Sequence, residues 1–374
     1  MKQLFLGILS LVLVCACVDS HKSDKKGGVV ADTIAQNADT TGDSALFREE
    51  VRLKTTPVKR QGHSGLCWAY AMLATIETEH LMQGDSVNLS VDFVARHFLK
   101  EQTMEFRRGN DISTRGIAPM LIRLIQVYGL THYDAYHLRG DDDEHRLNYN
   151  VLCNKLEHLA RFNQRSLSTL EKKAEELLDE KIGPVPRYVF MLGVEYTALE
   201  FAHSVCRKDE YESITSFTHH PFNQYFPLEV ADNYYRDTYL NLPLDTMMMR
   251  IDNALRQGHP VCWEGDISEP LFSFAKGMAM LQDEHQPVTQ KYRQQSFELG
   301  KTTDDHCMEI VGIAWKRESR GAADGSPRQK YYIMKNSWGD GNPYGGFMYV
   351  SENYVRLKTI GIVLPRLNDE DDKH

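Results

Sequence analysis

The chain has 374 residues, of which 42% are hydrophobic, 25% charged and 10% aromatic, and its formal net charge is −9. This length can bury a large core in two or three lobes, and the acidic balance excludes the basic face expected of a nucleic-acid binder. Neither an internal repeat nor a long low-complexity run is present, which excludes solenoid and fibrous architectures.

The chain opens on Met1-Lys2 and the apolar run QLFLGILSLVLV, too short to span a bilayer comfortably. It reads as a targeting segment. Val14, Cys15 and Ala16 ahead of Cys17 resemble the lipobox of a bacterial lipoprotein signal. Residues 1–17 are therefore expected to be the signal segment, with Cys17 lipidated. Cys15 fits less well, because Val14 is bulky for the position before the cut; a plain secretory signal with incidental cysteines is the alternative. Either way the protein is expected to be exported. A lipidated Cys17 would anchor it to a membrane, facing the periplasm or the cell surface. Residues 18–45 are polar and rich in Gly, Asp, Ser and Thr, and read as a flexible tether with an r.m.s. span of roughly 30 Å. The folded body is placed at 46–374. It keeps Cys67, Cys153, Cys206, Cys262 and Cys307; an odd number leaves at least one thiol free or paired between molecules.

The first chemically suggestive stretch is VKRQGHSGLCWAYAML, residues 58–73. A serine-hydrolase elbow needs G-x-S-x-G, and Gly62-His63-Ser64-Gly65 lacks the residue between Ser and the second Gly. Cys67 is the stronger nucleophile. It precedes a run of Ala, Met, Leu and Glu that favours a helix, with Trp68, Met72, Ile76 and Glu79 along one side. A cysteine in the first turn meets unpaired N–H groups and the positive end of the helix dipole, which favour thiolate. The competing reading is a small buried core cysteine beside Trp68. Gln61, across the glycine-containing turn, can donate to a developing oxyanion beside the Cys67 N–H.

Further on, Leu121, Leu124, Ile125 and Tyr128 trace a helix that Gly129 ends. Residues 166–186 give a second helix, started by Ser166 and stopped at Gly183-Pro184, with charges on a solvated face. His219-His220 lacks Cys or carboxylate partners at a suitable spacing and reads as structural; Asp141 to Glu144 reads as a solvated loop. H-E-x-x-H, phosphate-loop and dinucleotide fingerprints are absent. No metal and no cofactor are expected, beyond reducing conditions that keep a thiol free. Residues 302–315 alternate after His306, which suggests a strand starting there, and 330–351 give a second strand ending at Asn336-Ser337-Trp338-Gly339. Paired as a hairpin tipped by 316–329, they would set His306 beside Asn336.

Together these segments resemble the papain-like cysteine peptidases. TPVKRQGHSGLCWAYA matches the active-site segment, with Gln61 at the oxyanion position, Cys67-Trp68 at the nucleophile and Glu77 on a family glutamate; D-H at Asp305-His306 and N-S-W-G at 336–339 follow in order. The family signature is C-G-[SA]-C-[WY]; here Ser64 replaces the first cysteine and removes its disulfide. That serine, NLSVDFVARHFLKEQ (88–102) and the run 214–269 resemble the bleomycin hydrolase and aminopeptidase C branch. The resemblance covers most of 50–365.

It implies an α+β papain-like two-lobe fold. The helical lobe would be 46–135, a helical insertion 137–250, a β-barrel-like lobe 251–365 and an acidic tail 366–374. The insertion is implied because the stretch from Cys67 to His306 far exceeds the about 130–150 residues of the papain type. His306 would be general base and acid, Asn336 would fix its tautomer, and Trp338 would shield their bond. The substrate's backbone would pair at Gly116, with Arg115 in place of the first of the family's two glycines. Ile117, Ala118, Cys262 and Cys307 would line an apolar pocket for the second residue before the scissile bond. The branch inserts its own C-terminal residues into the cleft and assembles as hexamers; the acidic ending here is unlike the family's. The expected partners are peptide or protein substrates, cut from the end or internally. The rival expectation is a non-catalytic peptide-binding lipoprotein on the same scaffold, and a further alternative is acyl transfer to an amine.

Overall fold

The computed structural model describes residues 46–106, 111–137, 147–163, 165–191, 193–317 and 329–366. The signal segment with Cys17, the tether, the Asp141 to Glu144 loop, most of the hairpin tip and the acidic tail from residue 367 lie outside the described residues.

The body begins with strand β1 (Phe47–Arg52). A helical lobe follows: α1 (Cys67–Met82), α2 (Val91–Met104), α3 (Ala118–Tyr128), α4 (Tyr149–Phe162), α5 (Leu167–Lys181), the small hairpin β2 (Val189–Met191) and β3 (Val194–Tyr196), and α6 (Ala198–Val205). Side chains start many of these helices in the usual way. Ser90 accepts from Phe93 N, and Thr197 with Glu200 forms a capping box. The sheet lobe holds β4 (Tyr211–Thr215), β5 (Gln224–Pro227), β6 (Thr238–Asn241), α7 (Leu244–Gln257), β7 (Val261–Gly265), β8 (Met278–Ala279), α8 (Gln290–Glu298), β9 (His306–Lys316), β10 (Lys330–Lys335), β11 (Phe347–Ser351), α9 (Glu352–Lys358) and β12 (Thr359–Pro365).

The large sheet runs β5-β6-β4-β12-β7-β9-β10-β11-β8. On one edge of β9, β7 pairs with His306 to Ile310 and β1 with Gly312 to Lys316; β10 takes the other edge. The stretch expected as a helical insertion is not helical between Val205 and the start of α7 at Leu244. From Tyr211 to Asn241 it gives β4, β5 and β6 to the sheet. These strands are five, four and four residues long, too short for a period of two to stand out in the sequence.

Each lobe has its own hydrophobic core, one gathered around α1 to α6 and one within the sheet. The one-sided pattern expected of α1 does not hold. Ala69, Leu73, Thr75 and Thr78 on its other sides are buried too, because α1 packs against α2 and α3 and also against β7 and β9. For the same reason β9 has no wet face: α1 covers one side and α7 packs against the strand as well, so His306 to Ala314 are all buried.

Gly129 ends α3 at φ 84°, and a Cβ there would fall 2.2 Å from the Ala198 carbonyl carbon. Gly129→Ala is expected to destabilise the protein by about 2–3 kcal/mol, seen as a lower denaturant midpoint with an unchanged slope.

Candidate active site

Three segments distant in the chain meet where α1 begins. The loop before α1 is tied to the loop after β10 by its backbone: Gln61 N donates to Ser337 O at 2.7 Å and Gly339 N to Lys59 O at 3.1 Å. Arg60 and Trp338 form an antiparallel bridge between these contacts. Ser64 closes the turn, its hydroxyl donating to Gln61 O at 2.8 Å. The helix then starts at Cys67, and no side chain caps its first turn. The thiol therefore sits at first-turn N–H groups and the positive dipole end.

His306 starts β9 and Asn336 follows β10, so the antiparallel pairing sets them side by side. His306 Nε2 donates to Asn336 Oδ1 at 2.9 Å. That oxygen also accepts from Ser337 N at 2.7 Å, and Asn336 Nδ2 donates to Met348 Sδ at 3.6 Å. The carboxamide orientation is thus fixed, and with it the tautomer that carries the proton on Nε2. Both side chains are buried. The Trp338 ring lies 4.8 Å from the His306 ring, backed by Phe272 and Phe274. The bond is therefore strengthened by a low local dielectric.

The half-buried Cys67 thiol donates to Gly65 O at 4.0 Å, and the neighbouring Cys307 thiol and His306 ring both favour its thiolate. With Nε2 committed to Asn336, Nδ1 is the ring atom left for the thiol. Cys307, then His306, pull Cys67 well below the ordinary thiol range against the effect of burial. Cys307 is pushed well above it by the Cys67 thiol and by burial. All five body cysteines are free.

The other expected residues fare unevenly. Gln61 Nε2 donates to Ser64 O at 2.8 Å, and its Oε1 accepts from the Ser337 hydroxyl at 2.6 Å. One amide hydrogen is thus held inside the turn, and only the second remains for an oxyanion. Gly116 packs on Trp68, where a Cβ would come within 2.9 Å of the ring; Ile117 and Ala118 are fully buried behind it. Cys262 is fully buried near Thr75, well along α1 from Cys67. Alternation explains this. Cys262 lies opposite Glu309 and Glu264 opposite Cys307, so all four share the face turned to α1. The neighbour of Cys307 on β7 is therefore a glutamate, and the wall expected to be apolar carries a carboxyl.

Sequence reasoning missed that carboxyl and its surroundings. Glu264 accepts from the Tyr239 hydroxyl at 2.7 Å. Arg115 Nε donates to Asp232 at 2.8 Å and its Nη2 to Asp304 O at 3.0 Å. A period of two counted from Cys262 reaches Glu264 and was the available signal. His219 and His220 do meet a carboxylate, Glu229, which closes a three-residue group. His219 Nδ1, however, faces Gln294 Nε2 at 3.0 Å, and Gln294 Oε1 accepts from Thr218 N. The amide is thereby fixed as donor, so the His219 proton lies on Nε2, directed at Glu229. That tautomer suits a hydrogen bond and not a metal at Nε2.

Residues 189–368 match the model of the Peptidase C1-like family. The viral cathepsin of Spodoptera litura multicapsid nucleopolyhedrovirus is 29% identical over 134 residues, 35% of this chain and 36% of that protein. The chain thus spans about a third of the length of that curated relative. Among solved structures, PepW of Lactobacillus rhamnosis is similar at TM-score 0.65 and 18% identity, over 90% of this chain and 86% of that one. The chain has the papain-like α+β fold, a scaffold of the cysteine-peptidase type.

Alkylation of Cys67 by iodoacetamide is expected to proceed at about pH 6, where an ordinary thiol is almost wholly protonated. In Cys307→Ala, which lacks the largest lowering contact, the acid limb of the alkylation profile should move upward. An unmoved limb would assign the lowering to His306 and the helix end alone.

Proposed function

We propose that this chain hydrolyses peptide bonds through a thioester on Cys67. The observation that carries the reading is the 2.9 Å bond from His306 Nε2 to Asn336 Oδ1 beside the Cys67 thiol, whose ionisation His306 favours. The Cys67 sulfur attacks the scissile carbonyl as its proton rests on His306 Nδ1. The resulting imidazolium is held in the peptide plane by Asn336 and returns the proton to the leaving amine. Water, deprotonated by the same nitrogen, then releases the acyl group. The Cys67 N–H and the second Gln61 amide hydrogen face the oxyanion of each tetrahedral step. No group beyond these side chains is required. The paired Gln61 and Ser337 loops hold the donor and the base in one frame.

The apolar start and Cys17 further support an exported, lipid-anchored form, tested by fatty-acid labelling of the native chain and of Cys17→Ser. End-trimming and internal cutting are distinguished by digestion of a peptide library with a mass-spectrometric readout.

A thiol-directed epoxide peptidase inhibitor is expected to label the native protein and not Cys67→Ala; an unlabelled native protein favours the peptide-binding alternative. Asn336→Ala should lower kcat by about 10²-fold or more with a small change in KM.

A further inference from the structure

Glu264 is 1% exposed, yet its Oε1 has no hydrogen-bond partner. The same holds for the buried Oδ2 of Asp304, two residues before His306. Glu264 lies opposite Cys307 on the same sheet face, and Cys307 is the group that acts most strongly on the Cys67 thiol. The groups that act on Glu264 most strongly by charge, Asp304, Cys67 and Asp232, are all acidic. Glu309, the other buried carboxyl on this face, also lacks a hydrogen bond but has a cation beside it, Lys335 at 3.7 Å. Arg115 is the cation at the rim, and its guanidinium is engaged by the Asp232 carboxylate and the Asp304 carbonyl. Two carboxyl groups near Cys67 thus each keep one oxygen without a hydrogen-bond partner, while the other oxygen of Glu264 is held by Tyr239.

We propose that Glu264 and Asp304 form a cation-binding subsite beside Cys67, which takes the positive charge of a peptide substrate: a lysine or arginine side chain, or a free N-terminal ammonium. The inference rests on the peptidase reading and names the substrate class for it. Burial, and then repulsion from Asp232, push Asp304 up to about 8; burial and Asp304 hold Glu264 well above the carboxylate range. The empty subsite therefore keeps its protons, and an entering cation replaces them with charge-assisted hydrogen bonds. An apolar side chain in the same place would leave both oxygens unpaired. A carboxylate would add a like charge.

The test compares matched peptides carrying Lys, Arg, Leu or Glu ahead of the scissile bond, each with a free or an acetylated N-terminus. The native protein should show kcat/KM at least about tenfold higher for the cationic members. Loss of that preference on acetylation alone assigns the charge to the N-terminal ammonium, and its persistence assigns it to the side chain. Glu264→Gln, and separately Asp304→Asn, should reduce the ratio of cationic to leucine substrates by about tenfold. The same peptides are also scored by how well they protect Cys67 from iodoacetamide. This readout needs no turnover, so stronger protection by cationic peptides in the native protein and not in Glu264→Gln upholds the subsite even if no peptide is cut. Iodoacetamide reactivity without peptide verifies that each variant is folded. In the native protein, rates and protection that depend neither on a cationic side chain nor on a free N-terminus, or equal losses in the variants for acetylated leucine peptides and for cationic ones, would overturn the proposal.

Discussion

The alternation of side chains along β7 and β9 is the constraint on which the site depends. With a period of two, Cys262, Glu264, Cys307 and Glu309 face α1, whereas Val261, Trp263, Met308 and Ile310 enter the sheet core. A slip of one residue would reverse both sets. It would press Trp263 and Met308 against the start of α1 and sink two carboxyl groups into an apolar core. The burial of that core therefore fixes which groups surround the nucleophile. Chemistry and packing are selected by the same register.

Cys67 is positioned without a covalent clasp. A buried polar chain does this work: Lys335 Nζ donates to the Thr56 hydroxyl, Thr56 to Glu77, and Lys59 and Leu89 N also bond to Glu77. It joins the end of β10, next to Asn336, to the middle of α1. Such a network is unforgiving, because removing one partner strands a buried charge at a cost of about 3–5 kcal/mol. The backbone pairing of 59–61 with 337–339 completes the frame from the other side. Precision in the site comes from these two ties, one ionic and one peptide-to-peptide.

Much of this was legible in the sequence, for definite reasons. The turn before Cys67, the helix after it, and strands opening at His306 and closing at Asn336 are local features, written in glycines, helix formers and alternation. Gly129 and Ser166 mark helix ends in the same local way. What escaped was set by distant partners. β4, β5 and β6 are too short to announce themselves and exist because β12 offers an edge. α1 and β9 are buried on sides that look polar or neutral, since each is enclosed by elements far away in the chain. Cys262 was assigned to the pocket wall, while the position that meets Cys307 is Glu264, a fact of register between strands separated by a helix and a long loop.

β9 is the hub on which β1, β7 and β10 settle. The oldest of these partners waits longest: Glu50, in β1, accepts from Trp315 Nε1 across 265 residues of chain. Contacts of that separation are entropically late. On the ribosome, Cys67 and its helix emerge well before His306. The meeting of Cys67, His306 and Asn336 is therefore possible only after β9 and β10 have been made. The order of the chain thus makes the two halves of the site appear far apart in time.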